Sequence, residues 1–372
     1  MQDLAATSHR LLLSCDAVGG VWQYSLDVAA ARGAQGAQTL LAVLGPPPNA
    51  DQRQEAAALP GVELIETGLP LDWTAKCPGE VLDAAENLAR LAGREQADLV
   101  QVHAPALVGR AVWPAPLLAV AHSCVATWWR AAGSGPLPDD LAWRAELTGL
   151  GLRRADLAVA PSRAFAADLA AAYGLDRPVA VVHNGRALPS QPQGPAPDGP
   201  VLTVGRLWDR AKNAQLLDRV AARVRGPIVA AGPLTGPHGE SATLPALQTV
   251  GTLGRSRLED CYRGAAVFAS PAVYEPFGLA VLEAAGHGLP LVLSDIPTFR
   301  ELWGGAALLL PADDDGAWVA TLTMLLNDRE RRTALGEAAR ARSLRYGREA
   351  MAARLAVLHG DLVNAVRLAA TG

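Results

Sequence analysis

Lysine is scarce in this 372-residue chain, because only Lys76 and Lys212 among its 33 basic residues are lysine. The scarcity argues against an enzyme that holds pyridoxal phosphate on a lysine. It also makes each lysine position informative. The net charge of −4 argues against a general nucleic-acid-binding surface, since such surfaces are strongly basic.

Paired cysteines and long apolar runs are also missing. No apolar stretch approaches 18 residues, and the leucines at 11–13 are too few for the core of a signal peptide. We therefore expect a cytoplasmic protein, with peripheral membrane contact left open. No CxxC pair occurs, so buried free thiols are expected rather than a metal site or disulfides. The cysteines are Cys15, Cys77, Cys124 and Cys261.

Short apolar runs alternate with amphipathic stretches along both halves of the chain. This alternation predicts an α/β protein with doubly wound parallel sheets. Residues 190–200 (SQPQGPAPDGP) are rich in proline and glycine and are predicted as an interdomain linker. We predict an N-terminal domain at 1–189, a second domain at 201–347, and a last helix at 348–372 that can pack back across the linker.

Two glutamates stand out in the stretch 262–297. The run at 265–271 is predicted as a buried strand, and Pro276 suits the first position of a following helix. Glu275 would then lie at the start of that helix and Glu283 about two turns inside. Free N–H groups at 277–279 would bind an anion, and the two carboxylates would accept hydroxyl groups on either side. A sugar nucleotide fits such a site, because its diphosphate is bonded on either side to a ring rich in hydroxyl groups. The alternative is that both glutamates are solvated acids at the start of a helix.

Cations follow the first predicted strand of the second half. Arg206 and Lys212 lie in VGRLWDRAKN, in a loop that leads into a helix. A guanidinium and an ammonium group in one loop can bind one diphosphate. Surface charges without a ligand are the alternative.

Several first-half residues are further candidates. Gly19 and Gly20 open a helix and let backbone N–H groups approach a phosphate or sugar, although the full GxGxxG fingerprint is absent; a plain tight turn is the alternative. His122 follows a predicted strand and could bond a sugar hydroxyl or serve the fold. Trp128 and Trp129 offer aromatic faces to an acceptor, or else pack in the core.

Together these segments resemble the retaining glycosyltransferases of the GT-B fold, in the large family 4 (group 1) type. The resemblance covers nearly the whole chain, and its most specific part is the pair of glutamates with EPFGL. It is carried by the glycine turn, His122, and the segments at 159–174, 181–185, 204–213, 230–234, 250–271 and 275–295. It implies two Rossmann-like domains with parallel sheets facing a central cleft.

The resemblance also implies roles. Arg206 and Lys212 would hold the diphosphate, Glu283 the ribose, and Glu275 the donor sugar, while His122 would lie near the transferred sugar. Further donor contacts are implied for the glycine turn and for Thr252, Leu253, Phe277, Gly278 and Leu279. It implies a hexosyltransferase that uses a UDP- or GDP-sugar and retains anomeric configuration without a metal ion or other cofactor.

The acceptor remains open between a glycan, a lipid and a small molecule. A sugar-nucleotide epimerase or hydrolase and a non-catalytic sugar-nucleotide-binding protein are the alternatives. One departure concerns Arg186, which follows VVHNG where a small apolar residue is more usual. We expect it to affect the hinge or the acceptor side.

Overall fold

Two parallel sheets organise the chain, and each belongs to a separate unit of the computed structural model, which describes residues 9–371. The first unit comprises the described residues up to 129, then 134–185 and those from 348 on. The second comprises 130–133 and 186–347. Residues 1–8 and 372, which the predicted domain boundaries include, lie outside the described residues.

The first sheet has seven parallel strands in the order β3-β2-β1-β4-β5-β6-β7. Its central strands are buried on both faces, which explains why they read as continuous apolar runs. The strands are β1 (Leu11–Asp16), β2 (Thr39–Leu44), β3 (Val62–Glu66), β4 (Leu99–Val102), β5 (Leu117–Val120), β6 (Leu157–Ala160) and β7 (Ala180–Val181).

Six α-helices and a short 3-10 helix (Pro105–Val108) lie between these strands, and a further α-helix at the end of the described chain packs in the same unit. The connecting helices are α1 (Gly20–Gly33), α2 (Ala50–Ala57), α3 (Pro78–Arg94), α4 (Val125–Ala132), α5 (Asp139–Arg154) and α6 (Arg163–Tyr173). The Ser162 side chain accepts a hydrogen bond from Phe165 N and caps α6.

The second sheet has six parallel strands in the order β10-β9-β8-β11-β12-β13. They are β8 (Val201–Val204), β9 (Ile228–Ala231), β10 (Gln248–Gly251), β11 (Val267–Ser270), β12 (Leu291–Ser294) and β13 (Leu308–Leu310). Their helices are α7 (Ala214–Ala221), α8 (Arg255–Gly264), α9 (Leu279–Gly286), α10 (Pro297–Trp303), α11 (Asp315–Asn327) and α12 (Arg329–Ser343). The predicted α/β class with two parallel sheets is therefore confirmed.

The last helix, α13 (Arg348–Thr371), packs with the first unit. Its apolar face is buried in the same core cluster as residues of β1, β2 and α1. The buried side chains of this face are Met351, Leu355, Leu358 and Val363. No helix within the described range is both long and apolar enough to cross a membrane.

The segment 190–200 packs as part of the second unit, although its composition predicts a linker. The change of unit falls earlier, between Gly185 and Arg186. A carbonyl group of the segment is an acceptor for a buried cation, since Arg332 Nη2 donates to Pro197 O at 2.7 Å. Proline and glycine correctly predict the absence of a helix or strand here, but they do not predict these contacts.

Each sheet has one point where the strand order reverses direction. In the first sheet this point lies between β1 and β4, and in the second between β8 and β11. Open parallel sheets bind ligands at such points, beyond the carboxyl ends of the strands. Predicted site residues follow three of these strands, β1, β8 and β11, whereas the others follow β5 or β10 or lie on helices.

Candidate functional site

Lys212 and Glu275 form an ion pair at the point where the order of the second sheet reverses. Lys212 follows β8 and Glu275 follows the neighbouring β11, and the Lys212 Nζ lies 2.5 Å from Glu275 Oε2. Their side chains are 21% and 16% exposed. Asn213 ties the two loops together, because its side-chain amide donates to the carbonyl of Pro271 at 3.1 Å. A partly desolvated ammonium group is thus held at the edge where a ligand is expected.

Arg206 lies in the same loop but has a different partner. Its Nη2 donates to Asp209 Oδ2 at 2.8 Å, and the guanidinium lies 5.7 Å from the ring centroid of Trp208. The Arg206 side chain is 57% exposed, whereas Asp209 is only 2% exposed. Arg206 and Lys212 therefore lie in one loop, but they contact different carboxylates, those of Asp209 and Glu275.

The helix that carries Glu283 begins later than the sequence predicts. α9 starts at Leu279, so the prediction that Pro276 occupies the first helical position is wrong. The reason is Gly278, whose φ of 92° is left-handed and cannot continue into a right-handed helix. Glu275 consequently lies in the loop before α9. The ring of Phe277 is buried and packs edge-on against Tyr346 at 5.7 Å, so only its backbone is available to a ligand.

Glu283 is held by two side chains that spacing does not predict. Arg186 Nε donates to Glu283 Oε1 at 2.8 Å, and Arg186 Nη2 donates to the same oxygen. The Tyr262 hydroxyl donates to Glu283 Oε2 at 3.0 Å. Burial, followed by the charge of Glu283, raises the pKa of Tyr262, so this phenol keeps its proton at neutral pH. The expectation that Arg186 affects the hinge or acceptor side stays a prediction, and this contact adds a partner that the sequence did not indicate.

A cavity of about 440 Å³ opens beside Glu283 within the second unit. Its walls come from the segment 186–193, from α8 and from α9, and include Arg255, Leu258 and His287. The predicted donor contacts Thr252 and Leu253 lie just before α8, with Thr252 exposed and Leu253 half-buried. They do not line the cavity. Glu283 therefore lines the cavity, whereas the loop with the predicted donor contacts Thr252 and Leu253 does not.

His122 lies in the first unit in an aromatic cluster. Its ring packs edge-on against Tyr24 at 4.6 Å and against His103 at 5.0 Å. Burial lowers the pKa of His122 to about 4. The imidazole is therefore neutral at physiological pH. It is a hydrogen-bonding group there and not a cation.

A buried chain of hydrogen bonds runs beside His122. The Ser25 hydroxyl donates to Val21 O at 2.8 Å, so His103 Nδ1–H must donate to Ser25 Oγ, 3.1 Å away. The Gln101 amide nitrogen then donates to His103 Nε2 at 2.8 Å, and Gln101 Oε1 accepts from His359 Nε2 at 2.8 Å. The chain fixes the tautomer of His103, whose ring supports His122, and ends on α13.

Gly19 and Gly20 form the turn between β1 and α1. Gly19 has a φ of 80°, and Gly20 is the first residue of the helix. Asp16 Oδ1 accepts a hydrogen bond from Val18 N at 2.8 Å, which closes the turn just before the glycines. A left-handed residue is required here by the backbone itself. The tight-turn interpretation is thus sufficient for Gly19, and the donor contact stays a prediction.

Trp128 and Trp129 lie on α4 as a tilted pair with ring centroids 5.9 Å apart. Both are half-buried, and the indole N–H of Trp129 donates to Gly135 O at 3.1 Å. The pair therefore retains partly exposed aromatic surface near the segment 133–138. The acceptor-side assignment remains a prediction.

Comparisons with known families cover most of the chain in two parts. The family model described as Glycosyltransferase Family 4 matches residues 18–188. The model described as Glycosyl transferases group 1 matches residues 199–328. The chain belongs to the group 1 glycosyltransferases. The predicted family is therefore confirmed.

Curated group 1 relatives match over part of their length. A D-inositol 3-phosphate glycosyltransferase from Nocardia farcinica is 29% identical over 60% of this chain and 56% of its own. The lipopolysaccharide core biosynthesis mannosyltransferase LpsB of Rhizobium meliloti is 32% identical over 37% of this chain and 43% of its own. A D-inositol 3-phosphate glycosyltransferase from Thermobispora bispora is 33% identical over 29% of this chain and 26% of its own. The chain thus spans between about a quarter and just over half of these relatives.

Solved structures with this fold match along almost all of the chain. Sucrose-phosphate synthase from Thermosynechococcus elongatus has a TM-score of 0.79 at 19% identity and covers 96% of this chain and 100% of its own. Anabaena Alr3699/HepE, solved in complex with UDP and glucose, has a TM-score of 0.70 at 16% identity, with 95% and 100% covered. At these identities the likeness shows the fold, which is GT-B as predicted.

One acidic run in the chain, Asp313–Asp315, has local structural contacts. Within the described part of the chain, no group of three or more His, Cys, Asp or Glu side chains could hold a metal ion. The Asp313–Asp315 run is used locally, because Asp314 caps α11 and Asp315 pairs with Arg219 at 2.7 Å. These carboxylates are therefore helix-start residues.

The structure brings two predicted residues of the second unit into contact with each other and gives Glu283 other partners. Lys212 contacts Glu275, whereas Glu283 contacts Arg186 and Tyr262, which the sequence did not predict. Tyr262 is buried in the core, so its pattern in sequence is that of a core residue. The unusual side chain after VVHNG was the only signal for Arg186, and it carried no information about its partner.

Proposed function

We propose that this chain is a hexosyltransferase that moves a sugar from a UDP- or GDP-sugar to an acceptor hydroxyl with retention of anomeric configuration. Membership of the group 1 glycosyltransferases and the UDP and glucose named for the Anabaena neighbour support the donor class. The names of the relatives, which mention an inositol phosphate and lipopolysaccharide, support a polyhydroxyl acceptor. A glycan, a lipid and a small molecule all fit that description.

The observation that carries the proposal is the Lys212–Glu275 pair. An ammonium group and a carboxylate held 2.5 Å apart beyond the carboxyl ends of β8 and β11 suit a ligand with both an anion and hydroxyls. Lys212 would bind the diphosphate, with Arg206 in the same loop, and Glu275 would accept hydrogen bonds from the donor sugar. Backbone N–H groups at the start of α9 would add to the anion site.

The reaction proposed here needs no protein nucleophile. The acceptor oxygen would bond to the anomeric carbon on the face from which the diphosphate leaves. The bond between that carbon and the phosphate oxygen would break, and the acceptor proton would pass to the leaving diphosphate. Lys212 and the start of α9 would stabilise the charge that develops on the diphosphate. His122, neutral at physiological pH, would bond a substrate hydroxyl.

A thermal-shift panel tests the donor class. We expect UDP or GDP, and one of their sugars, to raise the melting temperature in the presence of EDTA. Saturation at 100 times the Kd stabilises the folded state by about 2.7 kcal/mol, which corresponds to a shift of several degrees. The best binder is then incubated without acceptor, and its products are analysed for hydrolysis and epimerisation.

The two lysines provide a matched pair of variants. Lys212→Met removes the proposed diphosphate ligand, and Lys76→Met removes an exposed lysine of the first unit. We expect the shift to disappear in the first variant and to persist in the second. A panel without any shift in the wild-type chain would overturn the proposed function, and an isomerised donor would favour the epimerase.

A further inference from the structure

The carboxylate of Glu283 already accepts three hydrogen bonds from the protein. Two come from Arg186 to Oε1, through Nε at 2.8 Å and through Nη2. The third comes from the Tyr262 hydroxyl to Oε2 at 3.0 Å. A carboxylate offers about four lone-pair sites in all. The site that remains lies on Oε2.

Arg186 is fixed where the chain enters the second unit. Its backbone N donates to Tyr346 O at 3.2 Å, and the residue forms a parallel bridge with Gly347. Its side chain is 16% exposed and that of Glu283 is 20% exposed. The pair is thus partly desolvated and anchored at the backbone, and exposed ion pairs lack both properties.

Tyr262, the other partner of Glu283, is held in place by side-chain packing. It is buried, and its ring stacks on His287 with centroids 5.3 Å apart. The phenol has a single proton, and Glu283 Oε2 at 3.0 Å is closer than Ala280 O at 3.4 Å. The hydroxyl therefore donates to Glu283. Arg186, Tyr262 and Glu283 all line the 440 Å³ cavity, so the remaining acceptor site has room for a ligand.

We propose that Arg186 and Tyr262 are positioning residues that restrict Glu283 to one ribose hydroxyl of the nucleotide. This inference rests on the proposed function, in which Glu283 binds the ribose. A ribose has two adjacent hydroxyls, and a carboxylate without other partners can accept both, one on each oxygen. Here Oε1 is filled by Arg186, and Oε2 keeps a single site. The 2′ and 3′ hydroxyls therefore contribute unequally to binding.

Calorimetry with deoxynucleotides tests this inference on the wild-type chain. UDP is compared with 2′-deoxy-UDP and 3′-deoxy-UDP, or the guanosine series is used if GDP binds more tightly. We expect one deoxy compound to bind about tenfold more weakly and the other within about twofold of the parent, since one charged hydrogen bond separates them. Equal weakening of both deoxy compounds would overturn the inference and leave the proposed function intact.

Two arginine variants distinguish the effect of the Arg186–Glu283 hydrogen bonds from the effect of positive charge in the cavity. Arg186→Met frees Oε1, so we expect both deoxy compounds to bind about tenfold more weakly than the parent in this variant. Arg263 lines the same cavity but pairs with Glu259 and Asp260, so Arg263→Met should keep the wild-type pattern. An unchanged pattern in Arg186→Met would overturn the inference. Failure of the wild-type chain to bind either UDP or GDP would instead overturn the proposed function.

Discussion

Glu275 and Glu283 differ in their partners and not in their exposure. Their side chains are 16% and 20% exposed, so burial alone would give them the same role. Glu275 is paired with a lysine beyond the end of β8, whereas Glu283 is held by Arg186 and a buried phenol. The first arrangement leaves the carboxylate beside the proposed diphosphate, and the second turns it towards the cavity. We therefore expect the two glutamates to differ in their roles in binding and turnover.

Glutamine substitutions test the division of roles because they keep the shape and remove the charge. We expect Glu283→Gln to weaken nucleotide binding by about tenfold, the loss of one charged hydrogen bond. We expect Glu275→Gln to leave nucleotide binding within about threefold and to lower turnover by about a hundredfold, which is typical of lost electrostatic stabilisation. Calorimetry with UDP or GDP and single-turnover donor cleavage measure the two quantities. Equal effects in both variants would contradict the division.

Residue patterns predicted part of this site for physical reasons that can be named. The rarity of lysine drew attention to Lys212, and the structure pairs it with Glu275, another predicted site residue. Arg186 could not be paired with Glu283 from sequence, since 97 positions separate them and no spaced motif contains both. The local partner of Arg206 was visible as a carboxylate three residues away at Asp209.

Elements were predictable where burial produces a continuous apolar run. The apolar and β-branched runs in the sequence predict strands at 39–44, 62–66, 157–160, 201–204 and 228–231. These are the bounds of β2, β3, β6, β8 and β9. Helix α12 shows the limit, because its buried positions are Arg332, Gly336, Ala339 and Ser343, which form no apolar stripe. The guanidinium of Arg332 is buried there because carbonyl groups accept from it, including Leu325 O at 2.7 Å. Such a helix has no hydrophobic periodicity to read.

The turn before α9 depends on glycine at position 278. A Cβ there would lie 3.2 Å from Phe299 and Val281 and 3.4 Å from Cγ of Glu275, in a left-handed backbone. We expect Gly278→Ala to lower the free energy of unfolding by about 1–3 kcal/mol and to weaken turnover through Glu275. Urea unfolding and donor cleavage measure these effects.

The control for this variant is Gly264→Ala at the end of α8. A Cβ at Gly264 would have no heavy atom within 4 Å, and its φ is not positive. We expect this substitution to leave stability unchanged or slightly raised, because alanine favours the helix. Similar losses in the two variants would mean that the conformation of Gly278 is not the cause.

On the scale of the whole molecule, histidines with a lowered pKa are concentrated in the first unit. Burial lowers the pKa of His122 to about 4 and, with smaller contributions from Arg32 and His9, that of His359 to about 3. Burial also lowers the pKa of His103 well below its usual value. In the second unit the pKa of His287 is lowered, again mainly by burial. Acid should therefore affect the two units unequally.

The sign of the effect follows from proton binding. Well above pH 6.5 neither the folded nor the unfolded state protonates these histidines, and their neutral forms are compatible with burial. As the pH falls from 6.5 towards 4, the unfolded chain binds protons that the folded first unit does not. Each histidine then costs up to about 1.4 kcal/mol of unfolding free energy per pH unit. Three such groups act on the first unit and one on the second.

We therefore expect the first unit to lose more stability than the second between pH 7.5 and pH 5.5, a range in which most carboxylates stay ionised. Urea unfolding with hydrogen-exchange mass spectrometry measures each unit separately. His359→Gln can still donate to Gln101 but cannot titrate, so it should reduce the pH dependence of the first unit. His238→Gln, at an exposed position of the second unit, is the control. Equal losses in both units, or equal pH dependence in the His359 variant and the wild type, would show that the buried histidines do not set the acid stability of this chain.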